Sequence, residues 1–294
     1  MSADRECERH VVTLEDGVTM AFRRIPACPT GFLMGSRGYS AAEEPVHRVV
    51  IPEDIWMAET PVTQAQFAVW TRMAAMNHMN YYPGKLHHPA EQMSWHEALQ
   101  FCEWLTQHCA DALPPECRFA TLPTEAHWEY ACRGGTETEY HTGDGEVALR
   151  EAGWFNKNAN ETTGPVAQLQ PNPWGLCDMH GNVWEWCFDR WDEYAYRRRW
   201  DGITAAETAA LNEESGAREL YGNPDPRMWR GGAFGDSTDA CRSACRGWNL
   251  AGLRFRGYGF RVCLVRSPLH SQTAVAEQER TALERRDGAN GGRE

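Results

Sequence analysis

The opening of the chain alternates between hydrophobic and polar residues in the manner of short strands. Residues 11–14 and 18–22 are rich in β-branched and other apolar side chains, and Asp16-Gly17 lies between them. Asp-Gly between two such runs is a strong hairpin signal, because both residues tolerate the positive φ angles of the tightest turns. Residues 31–36 predict a further short strand, which a glycine closes.

Three helices are predicted from the residues at their N-termini. Thr63 and Ser94 are each followed three residues later by Gln or Glu, and hydrophobic residues then recur at helical spacing. Thr124 begins a third predicted helix, which Gly134 and Gly135 end. Beyond residue 140 the pattern predicts no helix before the C-terminal tail. It predicts loops and short strands, at 154–155, 165–167, 183–186 and 259–264.

The composition along the chain predicts one domain with less regular additions. Residues 1–10 are predicted to be an N-terminal extension, and residues 11–266 the domain. Residues 188–228 pass from aromatic and charged sequence to Ala- and Glu-rich sequence, which predicts a long insertion within the domain. Residues 267–294 have few apolar anchors, so this tail is predicted to be disordered or helical.

The charge and cysteine content argue against several classes of protein. The 294 residues carry 29 Lys and Arg against 41 Asp and Glu, a formal net charge of −12. Nucleic acid is not expected as a partner, because phosphate-binding surfaces need clustered Lys and Arg. No run of about 18 apolar residues occurs, so no membrane span is predicted. The eleven cysteines show no CxxC spacing and no signal peptide is visible, so we expect reduced thiols and a cytoplasmic location.

Several segments, taken in order along the chain, resemble one known family. They are residues 31–36, 44–47, 59–63, 122–131, 172–186, 230–232 and 259–262. The resemblance is to the formylglycine-generating enzyme (sulfatase-modifying factor) family, and its most specific part is the Gly-Asn-Val-Trp-Glu-Trp run at 181–186. It implies an α+β fold of the formylglycine-generating-enzyme-type, C-type-lectin-like kind, with an antiparallel β core, flanking helices and much irregular loop. The thirteen tryptophans agree with this, because large aromatic side chains can hold irregular chain together.

A calcium site is predicted in the most specific of these segments. Asp178, Gly181, Val183 and Glu185 stand at i, i+3, i+5 and i+7. Two carboxylates and two backbone carbonyls are hard oxygen ligands that suit Ca²⁺. The resemblance implies calcium at the same positions. The alternative is that Asp178 and Glu185 cap turns by accepting hydrogen bonds from backbone N–H groups.

The catalytic cysteines of the family are only partly present. The resemblance implies two cysteines that hold Cu(I) and oxidise a substrate thiol, and Cys241 falls on the second of them. Asp236 replaces the first, and a carboxylate is a hard ligand that binds Cu(I) weakly. Cys245 is an additional thiol beyond Cys241. The alternative is that Cys241 is a packing residue with no copper role.

Residues 234–258 carry a candidate binding surface. Fixed framework residues of the family alternate here with less usual ones, namely Phe234, Asp236, Trp248, Leu253, Phe255, Arg256 and Tyr258. A fixed framework with unusual loop content is similar to the variable proteins diversified by retroelements, which display a binding surface on this fold. Aromatic residues and Arg dominate binding hot spots. The alternative is that these residues are ordinary core.

Two functions from different classes therefore stay open. The first is a non-catalytic recognition module that binds a protein or other macromolecular ligand through 234–258. The second is a copper- and oxygen-dependent thiol oxidase with an altered site around Cys241. We expect Trp248, Phe255 and Tyr258 to lie on an exposed loop if the first is correct.

Overall fold

The computed structural model describes residues 8–199, 202–215 and 226–269. The strands of this part of the chain are β1 (Arg9–Thr13), β2 (Thr19–Ile25), β3 (Cys28–Met34), β4 (His47–Ile51), β5 (Ile55–Ala58), β6 (Phe119–Thr121), β7 (Gly153–Trp154), β8 (His180–Gly181), β9 (Trp184–Arg190), β10 (Ile203–Thr204), β11 (Pro226–Arg230), β12 (Gly247–Leu250), β13 (Tyr258–Phe260) and β14 (Cys263–Val265). Its α-helices are α1 (Gln64–Met73), α2 (Trp95–His108), α3 (Glu125–Arg133), α4 (Gly145–Ala152) and α5 (Ala205–Ser215).

Two sheets organise the domain. The first is antiparallel throughout, in the order β1-β2-β5-β14-β6, so it joins the beginning and the end of the described chain. The second has the order β12-β11-β9-β13, with β13 parallel to β9. Of the smaller sheets, one has the order β10-β4-β3 and the other pairs β7 with β8. The predicted α+β architecture, with an antiparallel core, flanking helices and much loop, is confirmed.

The local signals in the sequence produced the elements they predicted. β1 and β2 form the hairpin, with positive φ at Asp16 and Gly17. Both capping boxes are present: the Thr63 and Ser94 hydroxyls each accept the backbone N–H three residues on. Gly134 ends α3 with a φ of 55°. β1 begins at Arg9, however, so part of the predicted extension 1–10 belongs to the domain.

The hydrophobic pattern of the sequence did not predict two of the helices, and it predicted one strand that is absent from the described chain. The N-cap residue of α4, Asp144, makes no side-chain capping hydrogen bond, and α5 is too rich in Ala for an obvious apolar stripe. A signal for α5 did exist, because Thr204 and Glu207 form a capping box. The strand predicted at 165–167 is wrong: the chain turns there, with a φ of 57° at Ala167.

The described part of 188–228 is built into the core. β9 continues through Arg190, β11 begins at Pro226, and β10 pairs with β4. Tyr196 and Ile203 between them are fully buried. Residues 216–225 and the tail from 270 onward lie outside the described residues. No helix in the described ranges is long and apolar enough to cross a membrane.

Candidate functional site

The first member of the predicted calcium motif is a buried carboxylate in the turn that leads toward β9. Asp178 has a φ of 57° and is 2% exposed. Its Oδ2 accepts the backbone N–H of Ala167 at 2.7 Å, which is the predicted turn-capping role. Its Oδ1 is buried without a hydrogen-bond partner, and burial raises the pKa of the carboxyl to about 6. An unpartnered buried oxygen is costly, and a hard cation would satisfy it.

The last member of the motif already has a cationic partner. Arg261 donates from Nε and Nη2 to both oxygens of Glu185, at 2.8–3.2 Å, and Trp128 Nε1 donates to Oε2 at 2.7 Å. Gly181 and Val183, the predicted carbonyl ligands, are buried between the two acids along the chain. Asp178 therefore fits a calcium ion, whereas Glu185 fits one only by sharing its carboxylate with Arg261.

The thiol of Cys241 is fully buried. It ends a short 3-10 helix, Thr238–Cys241, and packs with Tyr140, Leu149 and Phe155. A Cβ atom on Gly232 would lie 2.7 Å from its Sγ, so glycine is required above it. Burial raises the pKa of this thiol well above its usual range. A thiol that stays protonated is a poor copper ligand, because the thiolate is the form that binds metal.

Asp236 and Cys245 are the partly exposed neighbours of Cys241. Burial is the main cause of the raised pKa of Cys241, and the charge of Asp236 and the thiol of Cys245 add to it. Burial raises the pKa of Cys245 to about 11. The structure thus groups one carboxylate with two protonated thiols rather than two soft thiolates.

A second thiol, Cys132, contacts an imidazole that sequence reasoning did not single out. Its Sγ lies 3.7 Å from Nε2 of His180, and both residues are buried. His180 Nδ1 donates to the carbonyl of Cys241 at 2.8 Å, while Nε2 accepts the backbone N–H of His141. Burial lowers the pKa of His180 to about 3 and raises that of Cys132 to about 12. Both groups are neutral and inaccessible, so the pair is structural.

The seven predicted surface residues differ widely in exposure. Phe255 is 50% exposed and Leu253 is 40% exposed. Asp236, Trp248 and Arg256 are half-buried. The other two are corrections to the predicted surface: Phe234 is only 3% exposed and Tyr258 only 6%. Tyr258 belongs to β13, where its ring packs against its neighbours, so it supports the surface more than it forms it.

An aromatic contact chain runs from the second sheet outward to Phe255. The ring of Trp184 stacks on Trp229 with centroids 5.3 Å apart, and Tyr258 meets Trp229 edge-on at 4.3 Å. The Phe255 ring lies 5.2 Å from that of Tyr258. Gly247 makes room, because a Cβ there would lie 1.8 Å from Nε1 of Trp229.

The surface extends beyond the predicted residues onto a neighbouring loop. The guanidinium of Arg256 lies over the Tyr81 ring at 5.7 Å and over Phe234 at 5.6 Å. Tyr81 is exposed. We define the aromatic surface by its exposed or half-buried side chains, namely Tyr81, Trp184, Trp229, Leu253 and Phe255; the buried ring of Tyr258 supports it from beneath. Sequence reasoning missed Tyr81, Trp184 and Trp229 as surface residues, although Trp184 and Trp186, two apart in a strand, share a face.

Comparison with known proteins places the chain among relatives that are longer than itself. The family model described as Sulfatase-modifying factor enzyme 1-like domain matches residues 23–266. The chain is 31% identical over 252 residues to the serine/threonine-protein kinase pkn1 of Chlamydia caviae, covering 78% of this chain and 36% of the relative. It is 29% identical over 159 residues to the formylglycine-generating enzyme of Thermomonospora curvata, covering 50% of this chain and 46% of that enzyme. The chain thus spans less than half of each relative.

A solved structure supports the same fold. Treponema denticola variable protein 1 superposes with a TM-score of 0.69 at 22% identity, covering 87% of this chain and 98% of that one. At this identity the likeness shows the fold alone, which is the C-type-lectin-like fold of formylglycine-generating enzymes that the motifs implied. Because the family model also matches well over half of its residues, the chain belongs to the Sulfatase-modifying factor enzyme 1-like family.

Proposed function

We propose that this chain is a non-catalytic recognition module that binds a protein or other macromolecular ligand through the aromatic surface. The observation that carries the proposal is the exposed ring of Phe255 at the outer end of the Tyr258–Trp229–Trp184 contact chain. Exposed apolar clusters on a folded domain mark interaction sites, and aromatic anchors held rigidly by packing make efficient hot spots. The unpaired state of the ten described cysteines supports a reducing compartment such as the cytoplasm.

The alternative, a copper- and oxygen-dependent thiol oxidase, has weaker support. Cys241 is buried and protonated, and Asp236 stands where the family pattern has a cysteine. Paired soft ligands are what Cu(I) requires. The decisive assay incubates the purified protein with copper, oxygen and a Cys-containing sulfatase-type peptide. Formation of an aldehyde on that peptide would overturn the recognition proposal.

Phe255→Ala is expected to weaken ligand binding by about tenfold or more, because truncating an aromatic hot spot costs more than about 1.4 kcal/mol. Peptides are first selected from a displayed random library on the immobilised wild-type protein. Their affinities for wild type and variant are then compared by calorimetry. Since the Phe255 ring is half exposed, we expect its melting temperature to stay close to that of wild type.

Val11→Ala is the matched control for this experiment. Val11 is also an exposed apolar residue, but it belongs to β1 in the other large sheet. Its loss should leave the affinity of the selected peptides unchanged. If every selected peptide bound Phe255→Ala and Val11→Ala with the same affinity, the proposal would be contradicted.

As part of the same proposal, residues 233–258 form the segment in which a retroelement-diversified protein of this fold would vary. The support is the alternation of framework residues with unusual aromatic ones in this segment. A near-copy of its coding sequence beside the gene is the expected genetic signature. A gene neighbourhood without such a repeat would remove this part of the proposal and leave the recognition role intact.

We also propose that Asp178, with Gly181, Val183 and a shared Glu185, binds calcium as a structural ion. An ion that binds only the folded state stabilises it by about 2.7 kcal/mol at 100 times its Kd, which is roughly 5–10 °C in melting temperature for a domain of this size. Chelator should therefore lower the melting temperature, and added CaCl₂ should restore it. Asp178→Asn should remove this response, whereas Asp111→Asn, at an exposed residue, should retain it. A wild-type melting curve that is indifferent to chelator would refute calcium binding.

A further inference from the structure

Asp236 is a positioned carboxylate beside the aromatic surface. Its Oδ2 accepts the backbone N–H of Ala233 at 2.9 Å, and its own backbone carbonyl accepts the N–H of Asn156 at 3.0 Å. The same turn lies beside Trp184: a Cβ on Gly257 would lie 3.2 Å from that of Ala233, and the carbonyl of Gly257 accepts the backbone N–H of Trp184 at 2.8 Å. These contacts hold the side chain against the inner end of the aromatic contact chain.

Asp236 has no cationic partner among the described residues. Burial raises the pKa of its carboxyl, and the opposing contributions come from Ala233 and Trp184, not from a Lys or Arg. The nearest guanidinium of the predicted surface, that of Arg256, lies instead over Phe234 and Tyr81. A half-buried carboxylate without a counter-ion costs free energy in the unbound protein, and that cost is recovered when a cation arrives.

The aromatic rings near Asp236 are a second feature that favours binding of a cation. The stacked rings of Trp184 and Trp229 are half-buried, and tryptophan faces attract Lys and Arg more strongly than other aromatic rings do. The thiols of Cys241 and Cys245 are both protonated and carry no charge. The phenol of Tyr258 is neutral too, since burial, together with the charge of Asp236, raises its pKa to about 12. Asp236 is therefore the one charge in a neutral, largely aromatic setting formed by these described residues.

We propose that the partner is a protein that places a Lys or Arg side chain against the Asp236 carboxylate, beside the Trp184 ring. The inference rests on the proposed function, because it names the chemistry of the partner that the aromatic surface binds. Leu253 and Phe255 expose apolar side chains on the same surface. A partner that brings one cation together with apolar neighbours, as a protein chain does, fits this arrangement. The net charge of −12 attracts basic segments and accelerates their encounter with the surface.

The test uses the peptides selected on the wild-type protein. We expect these peptides to share a Lys or Arg at one position beside apolar residues. Replacing that residue with norleucine should weaken binding about tenfold, and Asp236→Asn should weaken the original peptide to the same extent. When the norleucine peptide is measured against Asp236→Asn, the two losses of binding free energy should not add, because both changes remove the same contact. Asn keeps an oxygen that can accept the Ala233 N–H, which preserves the loop.

Asp239→Asn is the matched control, because it removes the same charge from an exposed residue three positions away. It should leave affinity unchanged beyond a small long-range effect. A measurement on the unmodified protein makes the test independent of variant folding. In a selected peptide whose basic residue is lysine, or has been changed from arginine to lysine, a carbodiimide should cross-link that lysine to Asp236, as located by mass spectrometry.

The outcomes separate this inference from the proposed function. Peptides that depend on Phe255 but show no basic preference, or whose basic residue is insensitive to Asp236→Asn and cross-links elsewhere, would overturn the inference alone. Failure to recover any peptide that depends on Phe255 would overturn both.

Discussion

Glu125→Gln is expected to lower the free energy of unfolding by about 3–5 kcal/mol at pH 7, because removing one partner of a buried ion pair leaves the others uncompensated. Glu125 is fully buried and contacts three guanidinium groups: those of Arg246 at 2.5 Å, Arg230 at 3.0 Å and Arg199 at 3.2 Å. Of the three, Arg230 also contacts Glu129, at 2.6 Å. Urea denaturation at pH 7 measures the loss.

The same network predicts how stability depends on pH. Burial by itself would raise the pKa of Glu125, but Arg246, Arg230 and Arg199 outweigh burial and lower it well below its usual value. A lowered pKa in the folded state means that the contribution is complete above the pKa of the unfolded state, which is about 4.3, and is lost as the pH falls below it. The difference between wild type and variant should therefore shrink in acid.

Glu146→Gln is the control for this pair of measurements. Glu146 also has two cationic partners, Arg150 and Lys157, but all three lie at the surface of the domain, where solvent screens the interaction. Its replacement should change stability little at any pH. A Glu125→Gln protein with the unfolding midpoint of wild type would show that the buried network contributes nothing net.

Arg261→Lys is expected to cost at least about 2 kcal/mol, because an unsatisfied buried polar group costs about 1–3 kcal/mol and lysine leaves more than one. Arg261 is fully buried and donates to Glu185, to the carbonyl of Ala58 at 2.8 Å and to the carbonyl of Cys177 at 2.7 Å. A single ammonium cannot reach all three directions that the planar guanidinium serves.

Arg254→Lys provides the comparison for Arg261. Arg254 also makes a two-bond contact with a carboxylate, that of Glu97, but its side chain is more than half exposed. Water can replace what lysine loses there, so the unfolding midpoint should shift only slightly. Equal effects of the two substitutions would contradict the special role of Arg261.

Local chemistry explains why much of the fold could be predicted. The hairpin at Asp16-Gly17 and the capping boxes at Thr63 and Ser94 are satisfied by residues within a few positions of each other. Such signals act on the backbone directly and need no information from elsewhere in the chain. The helix α5 was missed although Thr204 and Glu207 form a capping box, because no clear apolar stripe follows the cap and the helix is stabilised by packing against α3 and β9.

The sequence predicted which residue types the candidate site contains, but it did not predict which of these side chains are buried and which are exposed. The unusual residues of 234–258 were recognisable, but the burial of Phe234 and Tyr258 depends on rings from Tyr82 and Trp229. Trp229 precedes the segment, and Tyr82 lies 150 or more residues before it. The order of residues within 234–258 gives no indication that the rings of Tyr82 and Trp229 pack against this segment.

By itself, the sequence determined the family, the α+β fold class, the turns and caps, and the residue types of the candidate sites. Only the tertiary structure decided that Glu125 meets arginines 74 to 121 residues away, that Arg261 neutralises Glu185, and that Asp236 lies beside Trp184 with no cationic partner in the described part of the chain. The physical reason is that the ionisation and binding capacity of a side chain depend on its burial and on the charges around it. Those quantities are set by contacts between distant segments, and the order of residues along the chain does not display them.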